Sequence, residues 1–166
     1  NKNEFSLYKN GKVADIFVSE KEAPQIIRAV ADLQNDIKMV TGVKPNIINS
    51  LDKVGDNTII VGSIQDANIK NLLNKGFLQE AKDINNLKQS FLLKNIQFED
   101  NKKTMVIAGS DPLGTVYGIY ELSERIGVSP LYWWCDVKPK KQSEVILKDV
   151  LVTPKEPSVE YRGIFI

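Results

Sequence analysis

The chain has no histidine in 166 residues, one cysteine, two methionines and almost no net charge, with 22 basic and 21 acidic residues giving +1. Each shortage removes a class of function. Without histidine, no Ser-His-Asp triad, histidine general base or histidine metal ligand can be built from this chain. A lone Cys135 forbids an internal disulfide. The balanced, scattered charge supplies none of the basic footprint on which nucleic-acid binding depends. No apolar run suggests a membrane span, and 42% hydrophobic with 26% charged residues is ordinary for a globular domain with its own core.

What is present centres on Thr104 to Asp136. Thr104-Met105-Val106-Ile107-Ala108 is an unbroken apolar run, the pattern of a strand covered on both faces. Gly109-Ser110-Asp111-Pro112 turns the chain, with Ser110 as the expected N-cap of a helix beginning at about Asp111. Leu113, Val116, Tyr117, Tyr120 and Ile126 mark the apolar face, leaving Glu121, Glu124 and Arg125 for solvent, and Gly127 stops the helix. Gly114 and Gly118, one turn apart, read as packing devices that let backbone approach closely. A loop follows in which Tyr132, Trp133 and Trp134 stand consecutively, holding both tryptophans of the chain.

From the start, Phe5 to Tyr8 and Val13 to Val18 are strand-like runs joined by Asn10-Gly11, a hairpin signal. Ser19 and Glu22 have capping-box spacing, and Ile26, Val30, Leu33, Ile37 and Val40 carry one helical face to Gly42. A short strand is expected within Pro45 to Ile48 and a buried one over Asn57 to Val61, whose exit Val61-Gly62-Ser63 echoes Ala108-Gly109-Ser110. A helix over Ile64 to Asn74 follows the first of these exits. Two strand–Gly-Ser–helix units predict β-α-β alternation with parallel pairing. Gly-Ser at such a turn is read as capping, not an anion site, because a phosphate loop needs Gly-x-x-x-x-Gly-Lys. Phe91 to Glu99 should pair antiparallel with Thr104 to Ala108, which makes the sheet mixed, and short strands are expected at Glu144 to Leu147 and Val150 to Val152. Leu78 to Leu87 carries no clear period.

Thr153-Pro154-Lys155-Glu156-Pro157 reads as a linker, after which Val159 to Ile166 is a fresh strand of a further domain. The expected division is therefore 1–153, an α/β accessory domain; 154–158, a linker; and 159–166, the start of the next domain. Both ends read as cut from something longer, and a removed signal peptide would leave no trace.

The run Gly109 to Val137 (GSDPLGTVYGIYELSERIGVSPLYWWCDV) and the later VEYRGIFI resemble the N-terminal domain of glycoside hydrolase family 115, the xylan α-1,2-glucuronidases. Gly114, Tyr117, Gly118 and Leu122 form a broader pattern that also resembles the small α/β domain of family 67 α-glucuronidases and family 20 hexosaminidases. The resemblance implies a two-layer α/β fold, a mixed β-sheet with helices packed on it, preceding a (β/α)8 barrel whose first strand is Val159 to Ile166. It implies a secreted or periplasmic parent that removes glucuronic acid or its 4-O-methyl ether from xylan, with no cofactor and with its own barrel and the polysaccharide as partners. The carboxyl pair of such a hydrolase would sit on barrel strands beyond Ile166, so no catalytic residue is expected here.

Three residues are candidates for the substrate. Arg162 before Gly163 matches a sugar-binding arginine of family 20 and would suit a uronate carboxylate; alternatively it pairs with a barrel carboxylate. Trp134, with Trp133, and Asp136 would line the cleft by stacking and hydroxyl hydrogen bonds, or else pack at the domain interface. The other readings are a carbohydrate-binding module displaying Tyr132, Trp133 and Trp134 to solvent, and the equivalent domain of a hexosaminidase-like enzyme.

Overall fold

The computed structural model describes residues 4–98, 100–129 and 138–154. The described elements, in order, are β1 (Glu4–Lys9), β2 (Lys12–Val13), β3 (Asp15–Val18), α1 (Pro24–Thr41), β4 (Ile47–Ile48) and β5 (Thr58–Ser63). Then come α2 (Ala67–Asn74), β6 (Phe91–Gln97), β7 (Lys103–Gly109), α3 (Pro112–Arg125), β8 (Val145–Lys148) and β9 (Leu151–Val152). Six strands form a mixed sheet in the order β4-β3-β5-β7-β6-β9, and β2-β1-β8 form a small antiparallel one. This is the mixed α/β architecture that the alternation of strand and helix signals predicts.

The opening hairpin turns at Asn10 and Gly11, both left-handed at φ 53° and 78°, as a tight two-residue turn demands. The run that follows serves two sheets. β2 pairs with β1, whereas β3 lies parallel to β4 and β5. Composition explains the split at Ala14: Ile16, Phe17 and Val18 are consecutive and all buried, so they need cover on both faces, which a hairpin alone cannot give.

β5 and β7 are the paired centre of the sheet, parallel from Thr58↔Thr104 to Ser63↔Gly109. Their side chains alternate between two cores. Ile59, Val61, Met105 and Ile107 meet Val30, Leu33 and Ile37 of α1 and Ile119 and Leu122 of α3. Ile60, Val106 and Ala108 meet Ile69 and Leu72 of α2 and Leu78, Ala81 and Ile84 around a 3-10 turn at Gln79–Asp83. That turn fills the stretch with no clear period, and it is held down by Lys94, whose Nζ lies 2.8 Å from a Glu80 oxygen and also donates to Phe77 O.

The helix boundaries revise the expected caps. α1 begins at Pro24 with Ala23 at the N-cap position and no side-chain cap, so Ser19 and Glu22 precede the helix and do not box it. Its end is as predicted: Gly42 is left-handed at φ 85° and donates to Lys38 O. α2 starts at Ala67, capped by Asp66, because the Ile64 N–H is still tied to Gly109 O across the sheet. α3 is capped by Asp111, not Ser110; its carboxylate accepts from Gly114 N at 2.8 Å.

The glycines of α3 do what their spacing suggests. A Cβ on Gly114 would overlap the Ser90 carbonyl oxygen, and one on Gly118 would lie 2.6 Å from Ile107 Cγ2. That close approach sets the rotation of α3. Thr115, Val116, Ile119, Leu122 and Ser123 turn inward and carry Glu121 with them to 3% exposure, while Tyr120 is left 51% exposed. Glu121, expected in solvent, instead accepts from Arg125 Nε at 2.8 Å.

Two edges of the large sheet differ in what they hold. At the carboxyl ends of β3, β5 and β7 lie the turns that lead toward the three helices. At the amino ends lie the tails of α1 and α3, where Gln142 N donates to Val40 O and its side-chain amide to Ile126 O. β9 is antiparallel to β6, with Leu151↔Lys94 and Val152↔Leu93, so the chain leaves β9 toward the carboxyl edge.

Candidate functional site

In open α/β sheets the crevice outside the carboxyl ends of the strands, where crossover helices leave to opposite faces, is the usual ligand position. Here that point lies between β3 and β5, since α1 joins one core and α2 the other. It is filled by the protein itself. Glu22, in the turn before α1, reaches β5 and accepts from Ser63 N at 2.6 Å and from Ser63 Oγ at 3.1 Å. The Ser63 backbone N–H, which a Gly-Ser anion site would use, is occupied by this carboxylate. Burial pushes the Glu22 carboxyl upward and Asp66 adds repulsion, against the lowering effect of the Ser63 hydrogen bonds; the net shift is upward.

The second Gly-Ser turn is equally closed. Ser110 N donates to Ser90 O at 2.8 Å, and Ser110 Oγ accepts from Ser90 N at 3.0 Å. Asp111 caps α3 with one oxygen and accepts from Gln89 N at 2.9 Å with the other. Gln65 Nε2 ties the two turns together by donating to Ser110 O at 2.8 Å. Neither serine caps its helix; both lock neighbouring loops. The carboxyl edge is thus an interlocked polar surface whose Gly-Ser turns hold neighbouring loops and form no phosphate cradle among the described residues.

Two clefts lie elsewhere. One, of 580 Å³, opens at the amino edge between Glu4, Lys12, Asp15, Asp56 and Lys103. Its carboxylates are already engaged in part, Asp56 accepting from Lys103 N at 2.8 Å and from Asn57 N at 3.1 Å. The other, of 570 Å³, lies over the second core between Leu51, Leu72, Phe77 and Phe98. Its two phenylalanines meet edge to face at 5.0 Å, the edge of one ring against a face of the other. Among the described residues no group of three or more His, Cys, Asp or Glu comes together as a metal site. No helix among them is long and apolar enough to cross a membrane.

On the outer side, α1 and α3 are joined by Ser123 Oγ donating to Asp36 at 2.9 Å. Burial raises the Asp36 carboxyl above its usual range; the Ser123 bond opposes this and Asp32 reinforces it. Tyr120 is also raised, first by burial of its hydroxyl and then by Asp32 and Asp36. This patch is a helix–helix seam with acidic neighbours.

The residues that sequence reasoning nominated for substrate, Arg162, Trp134 and Asp136, lie outside the described residues, as do Tyr132, Trp133, Cys135 and the Val159 to Ile166 strand. Among the described residues, Gln142 meets Ile126 and Val40 at the amino edge, and the chain leaves β9 toward the carboxyl edge. The residue that reasoning missed is Glu22. Its signal was Pro24, which favours the first helical position and so places Glu22 before the helix, free to reach across to β5.

Comparison with known proteins agrees with the fold. The family described as glycosyl hydrolase family 67 N-terminus matches residues 3–122. Among solved structures, the chain is similar to a family GH115 4-O-methyl-α-glucuronidase with specificity for decorated arabinogalactans. The two share 35% sequence identity and superpose with a TM-score of 0.71 over 89% of this chain. The chain spans 18% of that enzyme's length. No curated protein matches it in sequence.

Proposed function

The chain belongs to the family of glycosyl hydrolase family 67 N-terminal domains, and from that premise we propose that it is the non-catalytic accessory domain of an α-glucuronidase. The observation that carries this reading is the closed carboxyl edge: Glu22, Ser63, Ser90, Ser110 and Asp111 spend their polar groups on one another, so the usual ligand position of such a sheet holds loops in place. In this reading the domain supports a neighbour and leaves the chemistry to it.

In this reading the parent enzyme releases glucuronic acid or 4-O-methylglucuronic acid from a plant polysaccharide, acting outside the cytoplasm on a polymer too large to enter it. Its two carboxyl groups stand on a (β/α)8 barrel that begins at Val159 after the 154–158 linker, at the carboxyl ends of the barrel strands. Family 115 resemblance favours xylan as the polymer; the similar 4-O-methyl-α-glucuronidase acts on decorated arabinogalactans, so the shared chemistry is an α-linked 4-O-methylglucuronosyl side chain. The test is to incubate the longer protein separately with glucuronoxylan and with glucuronosylated arabinogalactan and identify the released acid. Release from either supports the reading and names the polymer. A longer protein that frees hexosamine and no uronic acid contradicts it.

A further inference from the structure

We infer that the domain beginning at Val159 docks on the carboxyl edge of the sheet, over the loops around the Gln89–Asp111 junction, and not on the amino edge where Gln142 ties together the tails of α1 and α3. The inference rests on the reading that a barrel follows, and adds which surface receives it. Three observations carry it. First, β9 runs antiparallel to β6, and Val152 stands opposite Leu93, two residues from the strand's first residue, Phe91. Buried Thr153 and half-buried Pro154 therefore leave at the level where β7 ends and α3 begins.

Second, only Lys155 to Ser158 separate Pro154 from Val159. A fully extended chain advances at most ~3.6 Å per residue, so five steps reach about 18 Å. The six steps from Lys103 to Gly109 along β7 span roughly 20 Å. Val159 therefore cannot begin at the amino edge, and the mass that follows it is delivered to the carboxyl side.

Third, the receiving surface is rigid and partly apolar. Leu87 is 45% exposed just before Gln89, whose N–H donates to Asp111, and Pro112 and Leu113, which follow Asp111, are half-buried. The hydrogen bonds that close this edge to ligands fix the same loops for contact, so little conformational freedom is lost when a partner seats on them. The amino edge, by contrast, is rimmed by Glu4, Lys9, Lys12, Asp15 and Lys103 around an open cleft.

The experiment is photo-cross-linking of the longer protein with an amine-reactive diazirine, followed by peptide mapping. Lys21 and Lys88 are exposed at the carboxyl edge, Lys9 and Lys12 at the amino edge. Links from Lys21 or Lys88 to peptides beyond Ile166 are expected, with none from Lys9 or Lys12. Links from Lys9 or Lys12 alone, or no links beyond Ile166, overturn the inference; a following domain that releases uronic acid while linking to the amino edge would leave the proposed function standing. As an independent readout, Leu87→Asp should hasten protease cleavage within 154–158 of the longer protein, whereas Ile47→Asp, on the far edge strand β4, should not. Equal cleavage of the two variants counts against the docking surface.

Discussion

Replacing Gly114 by alanine sets two opposite effects against each other within one residue. In an exposed helix interior the change is worth about 1 kcal/mol in favour of alanine. Here the new Cβ would overlap the carbonyl oxygen of Ser90 and stand 2.8 Å from its nitrogen. Both are backbone atoms, and neither is free to yield, since Ser90 O accepts from Ser110 N and Ser90 N donates to Ser110 Oγ. Overpacking a tight site costs ~1–3 kcal/mol, and relief would require breaking one of these bonds at a further ~1 kcal/mol. The net expectation is a loss of about 2 kcal/mol, or about 4–8 °C in melting temperature for a domain of this size. Gly118→Ala should lose less, because its nearest obstacle is the Ile107 side chain at 2.6 Å. Gly55→Ala, in open space with no positive φ, should be neutral or stabilising by up to ~1 kcal/mol. Urea midpoints followed by far-ultraviolet circular dichroism on the 166-residue chain would rank the three. Gly114→Ala as stable as the parent would refute the argument that this face of α3 is set by backbone contact.

The remaining predictions concern charges that the fold has partly buried. Glu22→Ala leaves Ser63 N without its acceptor at a buried strand end, for a loss of ~1–3 kcal/mol, while Glu22→Gln keeps an oxygen for that N–H and should recover most of it; equal losses in the two variants would show that the hydrogen bond is not what matters. Asp36 has a raised carboxyl in the folded state, so its contribution is fully present below the unfolded value of about pH 3.9 and is lost as pH rises through the folded value. Asp36→Asn should therefore be at least as stable as the parent at pH 7, with the difference closing as pH falls toward 4, read from denaturant midpoints across that range. A difference that instead widens in acid would mean that the Ser123 bond outweighs burial.

How much of this was legible in the residues differs by feature. The central strands, their parallel pairing and the antiparallel hairpin at β6–β7 follow from apolar runs and Gly or Asn punctuation, signals local to each segment. Gly114 and Gly118 could be read as packing devices because only close approach makes two glycines worthwhile inside a helix. The caps were misassigned for a shared reason: Ser19 and Ser110 both sit where a capping hydroxyl could act, and in both cases an aspartate or a proline-initiated turn later in the chain takes that role. Ser110 instead holds the loop at Ser90, and Ser19 accepts from Lys21 N within its own turn. Glu121 was placed in solvent because periodicity counts apolar residues and cannot see that the glycine face fixes the helix rotation. Glu22 bonding to Ser63 is a contact 41 residues away in sequence, beyond any local pattern. The candidates for substrate, Arg162, Trp134 and Asp136, came from family resemblance, and they remain proposals about the enzyme as a whole.

The most direct test of the account is to measure uronic-acid release side by side from the 166-residue chain and from a longer protein extended through the proposed barrel, on glucuronoxylan and on glucuronosylated arabinogalactan. The account predicts release by the longer protein and none by the shorter at any concentration. Release by the 166-residue chain alone would contradict it, because the acid and base would then have to stand on a domain whose carboxyl edge is closed by Glu22, Ser63 and Asp111.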